Sequence, residues 1–217
     1  MKKSRTEFDI SEDLKCEEHL RRFYISGKQK LQTGDTEGAY QDFLKSENIL
    51  GCAYCRFLQG KLKETLELLN QIKDLNPAVN WLLFLCGIIK EDIKETPTYF
   101  QIRNFYENDI NMLILCKNID YAMKICSKSE YLARYNKEIF KYTARVLIDN
   151  GSINKSIYFL KKSIDICYKD PEAHFMLAEV YKSMGDIQNA EKEYNTSNSV
   201  AGGYYPAIKK LKELKPI

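Results

Sequence analysis

The residues best suited by type and spacing to do chemistry are Cys52-Ala-Tyr-Cys55 and, upstream, Cys16-Glu-Glu-His19. Two such pairs supply four soft ligands, enough to close a tetrahedral zinc site, and residues three apart share one face of a helix. A redox pair is the other use of CxxC. It asks for a preceding strand and an alternating strand-helix pattern, and the sequence has neither. Against metal, structural zinc pairs generally lie on turns that aim both side chains at one point, whereas Cys52 falls where an apolar helical pattern wants a small packing residue. The expectation is therefore buried thiols at Cys52 and Cys55, with no metal and no other cofactor. Nucleophilic catalysis needs a base, and only His19 and His174 are present. There is no glycine-rich phosphate loop and no HExxH pair. Carboxylates are scattered over helical surfaces, without a pair that periodicity isolates in a pocket. No enzymatic role is expected.

Composition narrows the classes further. In 217 residues, 44% are hydrophobic and 29% charged, which suits a chain with a sizeable core and not a disordered one. The formal charge of +3 gives no global electrostatic case for nucleic acid or an anionic membrane. A local excess at Lys209, Lys210, Lys212 and Lys215 reads as a solvated helix face. The N-terminal MKKSRTEFDISED has positive charge but no apolar stretch behind it, unlike a secretory signal. The longest apolar run, Trp81 to Ile89, is about half of the ~20 residues a membrane helix requires. An odd number of cysteines, seven, within apolar helical patterns fits free thiols in a reducing compartment. These features lead us to expect a soluble, cytoplasmic protein without membrane insertion.

The elements that must position any site are helices. Apolar residues recur at three and four, as in Leu62, Leu66, Leu69 and Ile72, and strand signals are scarce. Gly34, Gly60, Gly151 and Gly185 each follow a helix-like stretch, and Pro77, Pro97 and Pro171 stand where helices can begin. Three stretches also coincide at a constant offset of 34 residues: Ile119, Ile153 and Ile187; Ala122, Ser156 and Ala190; Ser129, Ser163 and Ser197. A period of this size marks a supersecondary pair that cannot bury its own apolar face, so the units must stack.

The segment PEAHFMLAEVYKSMGDIQNAEKEY resembles a tetratricopeptide repeat. It has a large residue, Leu177, a small residue and Tyr181 in the first helix, Gly185-Asp186 at the turn, then Ala190 and Tyr194 in the second. The unit from Lys137 matches nearly as well through Phe140, Ala144, Leu147, Gly151, Ile153, Ser156 and Leu160. Phe23, Gly27, Gly34-Asp35, Ala39 and Phe43 form another repeat, and Cys52-Ala53, Gly60, Leu62 and Leu69 a further one. Gly34 and Gly60 are too close together for full-length helices, and Trp81 to Glu95 offers a first helix without a second. The resemblance implies an all-α, right-handed superhelical solenoid of about five helix-turn-helix repeats, one degenerate. The expected division is 20–97 for degenerate repeats, 98–202 for better-formed ones and 203–217 for a capping helix.

Such arrays present a concave groove to a peptide or protein and carry no chemistry themselves, so the resemblance implies a non-catalytic adaptor. Alignment to the repeat pattern places Arg21, Tyr24 and Lys28; Tyr54; Glu107, Asn108 and Asn111; Lys141, Tyr142 and Arg145; and Phe175, Met176, Glu179 and Lys182 on that groove. Long polar residues interleaved with rings suit an extended peptide. Lys141 and Arg145, one turn apart, suit a partner carboxylate, with Phe175 packing on an apolar neighbour. His174 occupies the large-residue position, where packing is its expected role. Two alternatives come from other classes: a self-assembling subunit that dimerises through the stretch around Trp81, and an accessory subunit of an enzyme such as a glycosyltransferase.

Overall fold

The computed structural model describes residues 18–74 and 76–214 and, among these, secondary structure is helical throughout, without a strand. The chain forms two compact units, Met1–Lys128 and Ser129–Ile217. The first contains α1 (Glu18–Gln32), α2 (Thr36–Lys45), α3 (Ile49–Leu58), α4 (Leu62–Leu69), α5 (Pro77–Lys90), α6 (Tyr99–Leu115) and α7 (Ile119–Cys126). The second contains α8 (Ser129–Leu132), α9 (Ile139–Asp149), α10 (Ile153–Ile166), α11 (Pro171–Ser183), α12 (Ile187–Val200) and α13 (Tyr205–Leu214). Within each unit, helices pack chiefly on their neighbours in sequence, the behaviour of a helical repeat array.

The local chemistry of the turns explains the hairpins. At Gly34 and Gly185 the backbone takes φ of +79° and +81°, a region open to glycine at no steric cost. The next residue, Asp35 or Asp186, accepts a hydrogen bond from the backbone N–H three positions on and so caps the second helix. Between α6 and α7 the same two places hold Lys117, with φ of +63°, and Asn118, whose side chain caps α7. The turn survives there without its glycine. The close spacing of Gly34 and Gly60 is met by shortening: α2 and α3 have ten residues each, against 13 and 14 in α11 and α12.

The region from Trp81 onward departs from the pattern for a geometric reason. After α5 the chain turns at Glu91, with φ of +62°, and reaches α6 without forming a helix. Gln101 Nε2 then donates to the Pro77 carbonyl at 2.7 Å, which brings the start of α6 beside the start of α5. A 14-residue helix is about 21 Å long, and eight extended residues reach about 26 Å, so the short link spans the return alone. Gly87 permits this, since a Cβ there would lie 2.9 Å from the Asp92 carbonyl oxygen. The same packing bears on the stretch expected to make a dimer contact. Trp81, Leu82, Phe84, Leu85, Cys86, Ile88 and Ile89 are all buried, with α5 packed on α3, α4, α6 and α7.

In the second unit α9 to α13 pack in succession. The small positions of the sequence repeat, Ala122, Ser156 and Ala190, are fully buried, as close helix approach requires. Ala190 lies in a cluster with Ala178, Tyr194 and Ala207. Ala190→Leu is therefore expected to overpack this cluster and cost roughly 1–3 kcal/mol in urea unfolding. An unchanged midpoint would refute this register. The terminal helix, α13, covers α12 through Ala207, Leu211 and Leu214.

Candidate functional site

The first unit holds a cavity of about 230 Å³ walled mainly by α1, α3, α5 and α6. Four of the residues expected on a groove line it: Tyr24 and Lys28 from α1, Tyr54 from α3 and Asn108 from α6. Tyr24, Tyr54 and Phe105 are half-buried, while Lys28 and Asn108 are exposed, which sets rings inside and polar groups toward water. The volume is below that of pockets for drug-sized ligands but ample for one or two side chains. Glu107 and Asn111 stand half-buried on α6, and Arg21 is exposed on α1.

Sequence reasoning missed Asp109, which lines this cavity and is 8% exposed. It accepts hydrogen bonds from Tyr54 Oη and Trp81 Nε1, each at 2.5 Å. The signal was present. Ile102, Tyr106, Asp109 and Leu113 follow one another at helical spacing, so a carboxylate occupies a core position of α6. Burial pushes the Asp109 carboxyl up to about 6, and the two hydrogen bonds only partly oppose it. A carboxyl raised on folding stabilises the fold while protonated, and that contribution is lost as pH rises from about 4 to about 6. Asp109→Asn keeps the shape without the charge. The stability of the wild type relative to this variant is expected to fall by on the order of 2 kcal/mol between pH 4 and 7. Parallel pH curves for the two proteins would rule this out.

The remaining expected groove residues belong to the second unit, where the chain satisfies them itself. Lys141 is 5% exposed, with its Nζ 2.9 Å from Asp170 Oδ2 and 2.8 Å from Glu172 Oε2. Burial works to lower its pKa, but these two carboxylates outweigh it and the net direction is upward. Arg145 pairs with Glu172 at 3.0 Å, and Tyr142, itself buried, donates to Glu138 at 3.3 Å. The start of α11 thus supplies carboxylates to both Lys141 and Arg145 from within the chain. The ring of Phe175 packs against Tyr194 and Tyr204, and Glu179 accepts from the Tyr194 hydroxyl. Met176 is half-buried against the core of α9 to α11, and Lys182 lies 3.8 Å from Glu213. His174 is buried, held by Glu193 and by the Tyr168 carbonyl.

Cys52 and Cys55 are both buried in a cluster with Ala39 and Phe43. Burial pushes the Cys52 thiol up to about 11 and that of Cys55 further, which works against the thiolate that metal binding needs. Cys16 and the side chain of His19 lie outside the described residues. Among the described residues no three His, Cys, Asp or Glu side chains gather as a metal site would require, and no helix is long and apolar enough to cross a membrane.

Residues 171–202, covering α11, its turn and α12, match the tetratricopeptide repeat model. This hairpin is a tetratricopeptide repeat. The match falls on the hairpin whose Gly185-Asp186 turn and buried Ala178, Ala190 and Tyr194 are described above. Solved structures similar to the chain include TTC0263, a thermophilic tetratricopeptide repeat protein of Thermus thermophilus. It is 17% identical, with 90% of this chain and 98% of that chain covered and a TM-score of 0.38. MamA of AMB-1 is 15% identical, with 88% and 97% covered and a TM-score of 0.38. YrrB, described as a tetratricopeptide repeat protein with an unusual peptide-binding site, is 9% identical, with 88% and 90% covered and a TM-score of 0.39. No curated protein sequence matches the chain.

Proposed function

We propose that this chain is a non-catalytic interaction module that takes a segment of a partner protein into the cavity of its first unit. The observation that carries the reading is the convergence of Tyr24, Lys28, Tyr54 and Asn108 from three helices on one cavity, together with Trp81 and Phe105. Rings supply apolar contact at low entropic cost, and the exposed amide and ammonium can engage a peptide backbone. The repeat family gives further support, because tetratricopeptide arrays serve as protein-binding surfaces. Lys141, Tyr142, Arg145, Phe175 and Glu179 act in this reading as packing and pairing groups of the second unit.

Trp81, the single tryptophan, lines the cavity and reports on its occupancy. Peptides selected from a display library on the full chain are expected to change Trp81 emission on titration. Ala78→Phe, at a half-buried lining position, is expected to weaken them at least tenfold, about 1.4 kcal/mol, with helical content unchanged. Peptides that bind both proteins equally and leave Trp81 emission unaltered would place the partner elsewhere.

A further inference from the structure

We propose that the partner segment delivers an arginine side chain to Asp109. The inference rests on the reading of this cavity as the binding site and names the chemistry of its occupant. A carboxylate left in an aromatic-walled cavity is costly unless a cation compensates it. The chain provides no such cation: Tyr54 and Trp81 are the hydrogen-bond partners of Asp109, and among the described residues no Lys, Arg or His pairs with it. Each carboxylate oxygen takes one hydrogen bond from these donors and retains capacity for another.

The walls select the kind of cation. Tyr24, Tyr54, Trp81 and Phe105 line the same cavity, and Trp81 and Phe105 have ring centroids 6.0 Å apart. A planar guanidinium stacks on such faces, is weakly hydrated and forks onto a carboxylate, whereas an ammonium loses more hydration on entry. Lys28 opposes any cation, but it is exposed on α1, with its ammonium 5.4 Å from the Tyr24 ring centroid. Its repulsion acts through water and salt, while Asp109 acts at contact in a buried site, so attraction prevails. The charged and titratable groups that line the cavity with Asp109 are Lys28 and Tyr54, with Cys55 and Cys116 near Tyr54. Burial raises Tyr54, Cys55 and Cys116, which keeps all three neutral as Asp109 titrates.

The test uses short apolar peptides that differ at one central residue: arginine, its uncharged isostere citrulline, or norleucine. Binding to the full chain is followed by Trp81 emission and by calorimetry. At about pH 7.5 arginine is expected to bind at least tenfold tighter than citrulline, with the preference shrinking to below about threefold near pH 5 as the carboxyl protonates. Asp109→Asn, checked for native helicity, is expected to erase the preference at both pH values. Arginine and citrulline binding alike to the wild type, or a preference that persists in Asp109→Asn, overturns the proposal. If norleucine peptides bind and shift Trp81 emission in that case, the cavity reading survives without it. If no peptide of the set binds, both readings fall.

Discussion

Replacing Lys141 by methionine is expected to destabilise the second unit by about 3 kcal/mol, at the lower end of the cost of breaking a buried charge pair. Methionine keeps most of the apolar stem, so the loss isolates the ammonium. Asp170 loses a charged partner but keeps the bonds by which it caps α11, to the N–H groups of Glu172 and Ala173. Glu172 is partly exposed and retains Arg145, which moderates the effect. Urea unfolding of Lys141→Met, Glu172→Gln and the double variant gives the coupling directly. A loss below about 0.5 kcal/mol, the range of exposed pairs, would return Lys141 to the surface and make it available to a partner.

Deleting residues 203–217 is expected to cost more, about 3–5 kcal/mol, because α13 is the last layer over the α11 and α12 pair. Ala207 is fully buried there, and Tyr204, Leu211 and Leu214 pack against Ala178, Ala190 and Tyr194. Without the helix these groups face water, so the shortened chain should melt earlier and aggregate in light scattering. Ala207→Asp tests the same interface with the helix retained. If both variants match the wild type in melting temperature and solubility, α13 is not a cap.

These two cases also show what was legible in the sequence. Turns and small positions were readable because each has a local physical cause: the glycines at 34 and 185 take positive φ, and Ala190 is fully buried between packed helices. The role of Lys141 was not readable. Its place in the repeat pattern of α9 says nothing of Asp170 and Glu172, which come from the start of the next hairpin. The burial of Trp81 was not legible, because a first helix without a second suggested an open face. Only the return of the chain across Gly87 shows how α6 and α7 close over it. Asp109 stood in plain view as a carboxylate on the core stripe of α6, but periodicity alone could not say that Tyr54 and Trp81 would meet it.

The packing of α5 against four helices also bears on how the chain is made. Two of its covers, α3 and α4, precede it, but α6 and α7 follow, and Lys124 of α7 closes its end by donating to the Ile89 carbonyl at 2.8 Å. At synthesis rates of about 5–20 residues per second, the apolar run from Trp81 to Ile89 leaves the ribosome a few seconds before those helices. For that interval it is the stickiest surface on the nascent chain. Slow translation between α5 and α7 would therefore lengthen the window for capture by chaperones or by other nascent chains, whatever the stability of the finished fold.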